Sequence, residues 1–332
     1  MGEFSYHNAR LSSMGNRYVT RDEIMPLVET MDARSLSKSL SGDLAMPSEP
    51  EDYRSADRML IGSLHSSMSG LMKDAPSVVA PLVRVLFLRF EIDELKRVLR
   101  SIGHRKEPLH PVGAIDGDLE RQMLASQSVS RSLELIEGLR YGKVITASMR
   151  SGSIDLASMD SALEAYFLGS LYSLEGLPRY CRRGAKAAAD IFCDRYNLHY
   201  IMRAKLSMRP KDEVMQNIFR TGGTLGVPVL EQLVESTTVK EGLSLMSGTA
   251  FEHYLKEVRG DDLSSLEAAL DRRVLDGAVA LSSVFNSNIG PTVRFMVSRE
   301  MEVRNLRTLF MSKYSGWGVE RTRSMLILEG GA

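Results

Sequence analysis

Apolar residues near the C-terminus fall at Val303, Leu306, Leu309 and Phe310, the i, i+3, i+6, i+7 rhythm that lines one face of an α-helix. Charged and polar residues fill the positions between them: Glu302, Arg304, Asn305, Arg307 and Lys313. The rest of the chain is dominated by Ala, Leu, Met, Glu, Lys and Arg, which lose little rotamer freedom in a helix. Alternating runs of Val, Ile, Thr and aromatic residues, the signature of strands, are absent. The pattern predicts an all-α fold.

The helical pattern also repeats. Glu302-Val-Arg-Asn305-Leu306-Arg307 through Lys313 matches Asp194-Arg-Tyr-Asn197-Leu198 through Lys205, 108 positions earlier, in its acid, its Asn-Leu pair and its closing lysine. Glu91-Ile-Asp-Glu94-Leu95 is a weaker copy, 103 positions earlier again, with Glu94 in place of the amide. Leu27-Val-Glu followed by Ser41-Gly42, Leu135-Ile-Glu-Gly, and Leu233-Val-Glu followed by Ser247-Gly248 form a second series. Ala56-Asp57, Leu163-Glu164 and Leu266-Glu267 form a third. Three landmarks in one order and near one period predict a helical unit built three times. Turn signals at Ser48-Glu-Pro50, His104 to Pro108 and on to Gly117, Arg209-Pro210, and Gly222-Gly223 with Gly226 and Pro228 divide the helices. They place the repeats at 1–115, 116–212 and 213–332.

Composition narrows the function. The 332 residues carry 42 Lys+Arg and 42 Asp+Glu, so the basic excess expected of a nucleic-acid binder is missing from the totals. Two cysteines, Cys181 and Cys193, are too few for a disulfide framework and have no zinc spacing; they read as buried free thiols in a reducing setting. The most apolar run, Pro76 to Phe90, is broken by Arg84 and Arg89 and falls short of the roughly 20 apolar residues a membrane span needs. The start of the chain lacks the apolar core of a signal peptide. A peripheral part of any membrane machine is the expectation.

Candidate chemistry is sparse. The six histidines are scattered without metal spacing, and no serine lies in Gly-x-Ser-x-Gly. Gly222-Gly-Thr-Leu-Gly226 lacks the Gly-Lys-Ser/Thr ending of a phosphate loop and reads as a turn between helices. Methionine, at 19 residues, fits core filling first and adaptable binding surfaces second. Asn is a poor mid-helix residue because its amide competes for backbone hydrogen bonds. Asn197 and Asn305, at one repeat position, are therefore expected to pin a loop of their own unit through its carbonyl and N–H. The charges Arg294, Arg299, Glu300, Glu302, Arg304, Arg307 and Lys313 read either as a solvated helix face, with Glu300 and Arg304 paired at i, i+4, or as a surface reading a partner's charges.

The run from Arg294 through Glu300, Glu302, Asn305 and Arg307, with Lys313, Gly316 and Glu320, resembles the signature of the C subunit of archaeal-type ATP synthases, the counterpart of the d subunit of vacuolar-type ATPases. Tyr6-His-Asn8-Ala9-Arg10 resembles the start of that family, and Asp194-Arg-Tyr-Asn197-Leu198 its second repeat. The resemblance implies a funnel of three helical domains with pseudo-threefold symmetry. Its base would sit on the cytoplasmic face of the membrane rotor ring of proteolipid subunits, and its mouth would receive the central shaft, subunits D and F. Such a protein transmits torque without catalysis, cofactor, metal or bound nucleotide. Asn197, Arg203, Lys205, Arg294, Glu300, Glu302, Arg304, Asn305, Arg307 and Lys313 are then the architectural or interface candidates. The alternatives are a free-standing helical-repeat adaptor, whose units are normally only about 20–50 residues long, and an all-helical metal-dependent hydrolase, for which Asp190, Asp194 and Glu164 offer acids with no histidine beside them.

Overall fold

The structure is a computed structural model. It describes residues 2–15, 21–30, 32–40, 46, 48–102, 110–149, 156–256, 258 and 262–330. The Ser41-Gly42 landmark and the His104 to Pro108 turn lie outside these residues. The helices, in chain order, are α1 (Gly2–Gly15), α2 (Arg21–Val28), α3 (Ala33–Ser39), α4 (Tyr53–Asp74), α5 (Ala80–Ser101), α6 (Gly117–Ala125), α7 (Val129–Leu135), α8 (Gly142–Met149), α9 (Leu156–Tyr172), α10 (Arg182–Leu206), α11 (Lys211–Asn217), α12 (Val227–Glu235), α13 (Val239–Ser244), α14 (Glu252–Leu255), α15 (Leu263–Val284), α16 (Gly290–Ser315) and α17 (Val319–Ser324). A 3-10 turn, Arg179–Cys181, leads into α10. No strand occurs among the described residues, so the protein is all-α.

Six of these helices are long, and they come in consecutive pairs: α4 with α5, α9 with α10, α15 with α16. Two of the short helices between the pairs, α6 and α13, begin at side-chain caps. Asp116 accepts from the N–H groups of Asp118 and Leu119, and Thr238 from that of Glu241, supplying partners for amides that an α-helix leaves unpaired at its start. Helix α16 opens with Pro291 in its first turn and closes on Gly316 in the left-handed conformation (φ +66°), which glycine adopts without a Cβ penalty.

The chain forms two compact units, residues 1–66 with 178–332, and residues 67–177. Their borders differ from those of the sequence repeats, because a repeat is a stretch of chain while a unit is defined by packing. In the second unit α9 packs against α5 and α8, and α6 against α5 and α7, with Phe87, Leu95, Tyr141 and Phe167 buried. In the first unit α15 packs against both α10 and α16, α16 also meets α1 and α3, and α17 meets α2. Here Leu198, Ile201 and Met202 of α10 share a core with Leu230, Leu233 and Val234 of α12 and with Leu266 and Leu270 of α15. Cys181 and Cys193 are buried and free.

Candidate functional site

The long helices bury polar side chains, and each must be paired, along its own helix or with another part of the chain. Asn197 on α10 is fully buried. Its amide nitrogen donates to the Phe219 carbonyl at 2.9 Å and its oxygen accepts from the Phe219 N–H at 2.8 Å. Asn305 on α16 makes the same two bonds with Ile327, both at 2.7 Å. In each case the clasped residue lies 22 positions downstream. Glu94 on α5 occupies the corresponding place and accepts from the His110 N–H at 3.2 Å. A carboxylate has no donor for a carbonyl, so this copy keeps only the accepting half. Burial pushes the Glu94 pKa up, and Arg97 and the His110 N–H work against that rise.

Three residues before each clasp stands an acid. Asp194 accepts from the N–H groups of Thr224, at 2.9 Å, and Leu225, at 3.2 Å, and from the Thr224 hydroxyl. Gly223 (φ +87°) lets this turn lie on the carboxylate, since a Cβ there would overlap Asp194 Oδ1. Glu91 on α5 repeats the arrangement, accepting from the Ala114 N–H at 3.3 Å beneath Gly113 (φ +58°). Gly222 to Gly226 is thus a helix-to-helix turn tied to a buried acid, with the N–H groups of Gly223, Thr224 and Leu225 engaged within the protein. Burial raises the Asp194 carboxyl above the ordinary aspartate range despite its donors.

Two positions beyond the clasp comes a basic side chain, and its partner is the acid of the Asp57, Glu164, Glu267 series. Lys96 on α5 binds Glu164 on α9, His199 on α10 lies 2.8 Å from Glu267 on α15, and Arg307 on α16 binds Asp57 on α4. The first pair lies within the second unit and the other two within the first. The basic side chain of one long helix therefore grips the leading helix of the next pair, and the last long helix grips the first. Burial works against the Lys96 ammonium, but Glu164 and Asp93 outweigh it and hold its pKa above the ordinary lysine value.

The closing lysines follow the same order. Lys205 donates to the carbonyls of Val234, at 3.1 Å, and Ser236, at the end of α12. Lys313 donates to those of Val28 and Thr30, both at 2.6 Å, at the end of α2. Each ammonium supplies donors to carbonyls that a helix C-terminus leaves unpaired. Desolvation lowers both lysine pKa values.

The charged residues of α16 do not form a solvated face. Arg299, Glu300 and Glu302 are 4–5% exposed, because α15, α1 and α3 surround this helix. Their charges are matched internally: Arg299 with Glu302, and Arg304 with Glu300, at 2.8 Å, and with Asp271, which also holds Arg195. The two exposed candidates differ. Arg203 points outward from the last turn of α10, and Arg294 makes a half-exposed pair with Glu329 at 3.2 Å. Sequence reasoning missed the partners of Asp57, Glu164 and Glu267, although the recurrence of those acids was itself the signal.

No group of three or more His, Cys, Asp or Glu side chains with metal-holding geometry occurs among the described residues, and none of their helices is long and apolar enough to cross a membrane. Residues 7–325 match the family profile of the ATP synthase (C/AC39) subunit. The chain belongs to that family. The C/AC39 chain is 24% identical to the C subunit of the A-type ATP synthase of Pyrococcus horikoshii over 92% of its own length and 85% of the relative's. It is 22% identical to that of Methanocaldococcus jannaschii (98% and 87%) and 25% identical to that of Methanothermobacter thermautotrophicus (93% and 84%).

Three outcomes follow for this C/AC39 protein. Asn197→Ala and Asn305→Ala each strand a buried N–H and carbonyl and should cost about 1–3 kcal/mol in urea unfolding. Arg299→Ala, which breaks the buried Arg299–Glu302 pair by removing one partner, should cost about 3–5 kcal/mol, whereas Arg294→Ala, from an exposed pair, should stay within about 1 kcal/mol. The third concerns pH. The Asp194 carboxyl has its pKa raised above 3.8 in the folded state, so its contribution is largest below that value and declines as pH rises through the folded pKa. Unfolding of Asp194→Asn beside the parent should show the parent losing ground to the variant as pH rises from about 3.8; a pH-independent difference would refute the assignment.

Proposed function

We propose that this protein is a non-catalytic socket in the central stalk of a rotary ATPase, joining the membrane rotor ring to the shaft made of subunits D and F. Torque passing between ion movement and ATP synthesis or hydrolysis would run through it. Membership of the ATP synthase (C/AC39) family supports a role inside that complex, and the relatives are named as the C subunits of A-type ATP synthases. The observation that carries the mechanical reading is the return of the chain's end to its beginning. Arg307 binds Asp57 and Lys313 holds the end of α2, as His199 and Lys205 do for Glu267 and α12. A part that carries torque must resist shear between its helices, and directional polar contacts repeated from one helix pair to the next do so better than apolar packing alone.

In this reading repeats 1–115, 116–212 and 213–332 make up the pseudo-threefold funnel at the cytoplasmic face of the membrane. Asn197, Asn305, Lys205, Lys313, Glu300, Glu302, Arg304 and Arg307 serve its architecture. Arg203 and Arg294 are the candidates left to meet a partner. Nucleotide and metal take no part in its work.

Pull-down of the tagged chain from detergent extracts of its native membranes should recover rotor-ring and central-shaft proteins together. An Arg307→Ala/Lys313→Ala chain, released at its closing contacts, should still be recovered with the ring but leave ATP hydrolysis less coupled to ion pumping. Recovery of the parent as a lone monomer would overturn the proposal.

A further inference from the structure

One end of the first unit carries exposed side chains that the clasps leave unexplained. Arg179, Arg182, Arg183 and Lys186 stand at i, i+3, i+4 and i+7, one face of the 3-10 turn and the start of α10. All four are exposed, while Gly184, Ala185, Ala188 and Ala189 turn inward. Lys186 pairs with Asp190 at 2.8 Å. Arg179, Arg182 and Arg183 have no ion pair among the described residues. The charge is also of the wrong sign for its place, since a helix N-terminus carries partial positive charge and disfavours cations there. No acid stands in the first turn of α10 and no side chain caps it. These arginines therefore work against the helix they begin.

Tyr180, within this row, is 61% exposed, and α1 and the turn after α15 pack beside the same end. Contacts bring the three elements together: Phe4 of α1 meets the Tyr180 ring edge-on at 6.1 Å, and Asn8 donates to the carbonyls of Asn286 and Asn288 in the turn after α15. Gly184 lies against Phe285 and Ile289 of that same turn.

We infer that this basic, tyrosine-bearing end is a contact surface for an anionic membrane. Arginine and tyrosine both pair an apolar body with a polar tip, the combination that suits the boundary between headgroups and acyl chains. A row of one sign, with no acid among the described residues paired to its arginines, suits the continuous negative potential of an anionic leaflet, which draws each cation near the headgroups without requiring a fixed register. The surface does not depend on the socket role, and vesicle binding tests it apart from that role.

The full chain should float with vesicles of three parts phosphatidylcholine to one part phosphatidylglycerol, bind pure phosphatidylcholine vesicles far less, and lose binding as salt rises. Arg179→Gln/Arg182→Gln/Arg183→Gln should weaken binding about a hundredfold, at roughly fivefold per arginine. Its melting temperature should match or exceed the parent's, because unfavourable cations leave a helix N-terminus. Tyr180→Ser should weaken binding less and leave the salt dependence intact. Equal binding to both vesicle types, or a triple variant that binds like its parent, overturns the inference. So does a parent that ignores vesicles while the triple variant alone fails to join the purified complex, which would assign the patch to an acidic protein.

Discussion

A long helix that is buried on most of its circumference has nowhere to place a polar side chain except against another part of the protein. That constraint organises this molecule. Helix α16 has 26 residues, and Arg299, Glu300, Glu302, Asn305 and Ser312 are all buried in it. Leaving one such group unpaired would cost about 1–3 kcal/mol, and more for a charge. The chain meets the demand by bringing the segment 22 residues downstream back onto the asparagine, by pairing Arg299 with Glu302 and Arg304 with Glu300 along the helix itself, and by setting acids of other helices against Arg304 and Arg307. Loop path and helix packing are thus fixed by the same few side chains.

The interactions divide by their reach along the sequence. The asparagine clasps and the acid-bound glycine turns are local, tying a helix to the loop that follows it within about one-tenth of the chain. The cation–acid pairs and the lysines reach forward to the next helix pair, and in the last copy they span 250 and 285 positions to the N-terminal segment. Folding the last of these carries the largest loop-closure cost, yet that cost grows only logarithmically with loop length. A closing contact between chain ends is consequently little dearer than one between neighbours.

Much of this was legible before any coordinates. The helix class followed from the 3.6-residue rhythm, and the loop-pinning role of Asn197 and Asn305 followed from an amide recurring where helices disfavour it. The fate of Glu300, Glu302 and Arg304 was not legible, because charged residues at i, i+4 look alike on a solvated face and in a neutralised interior. Only the packing of α15, α1 and α3 around α16 distinguishes them. The partners of Asp57, Glu164 and Glu267 were hidden for another reason: each is paired across a long sequence separation with a different cation, Arg307, Lys96 or His199, so the basic side of the series shows no shared residue type to align.

That chemical divergence bears on how the copies differ mechanically. Arginine offers a planar fork whose charge persists at any accessible pH, lysine a point charge on a flexible stem, and histidine a ring whose charge depends on protonation. The His199–Glu267 junction can keep a hydrogen bond in the neutral state but not the full Coulombic attraction of Arg307 for Asp57. The α5 copy departs in two further ways: Glu94 holds a single N–H where the asparagines hold two groups, and Ile102 stands where Lys205 and Lys313 would align. Equivalent positions therefore carry unequal grips, with the arginine of the series on α16, where the closing contacts must hold two ends of the chain that no peptide bond joins.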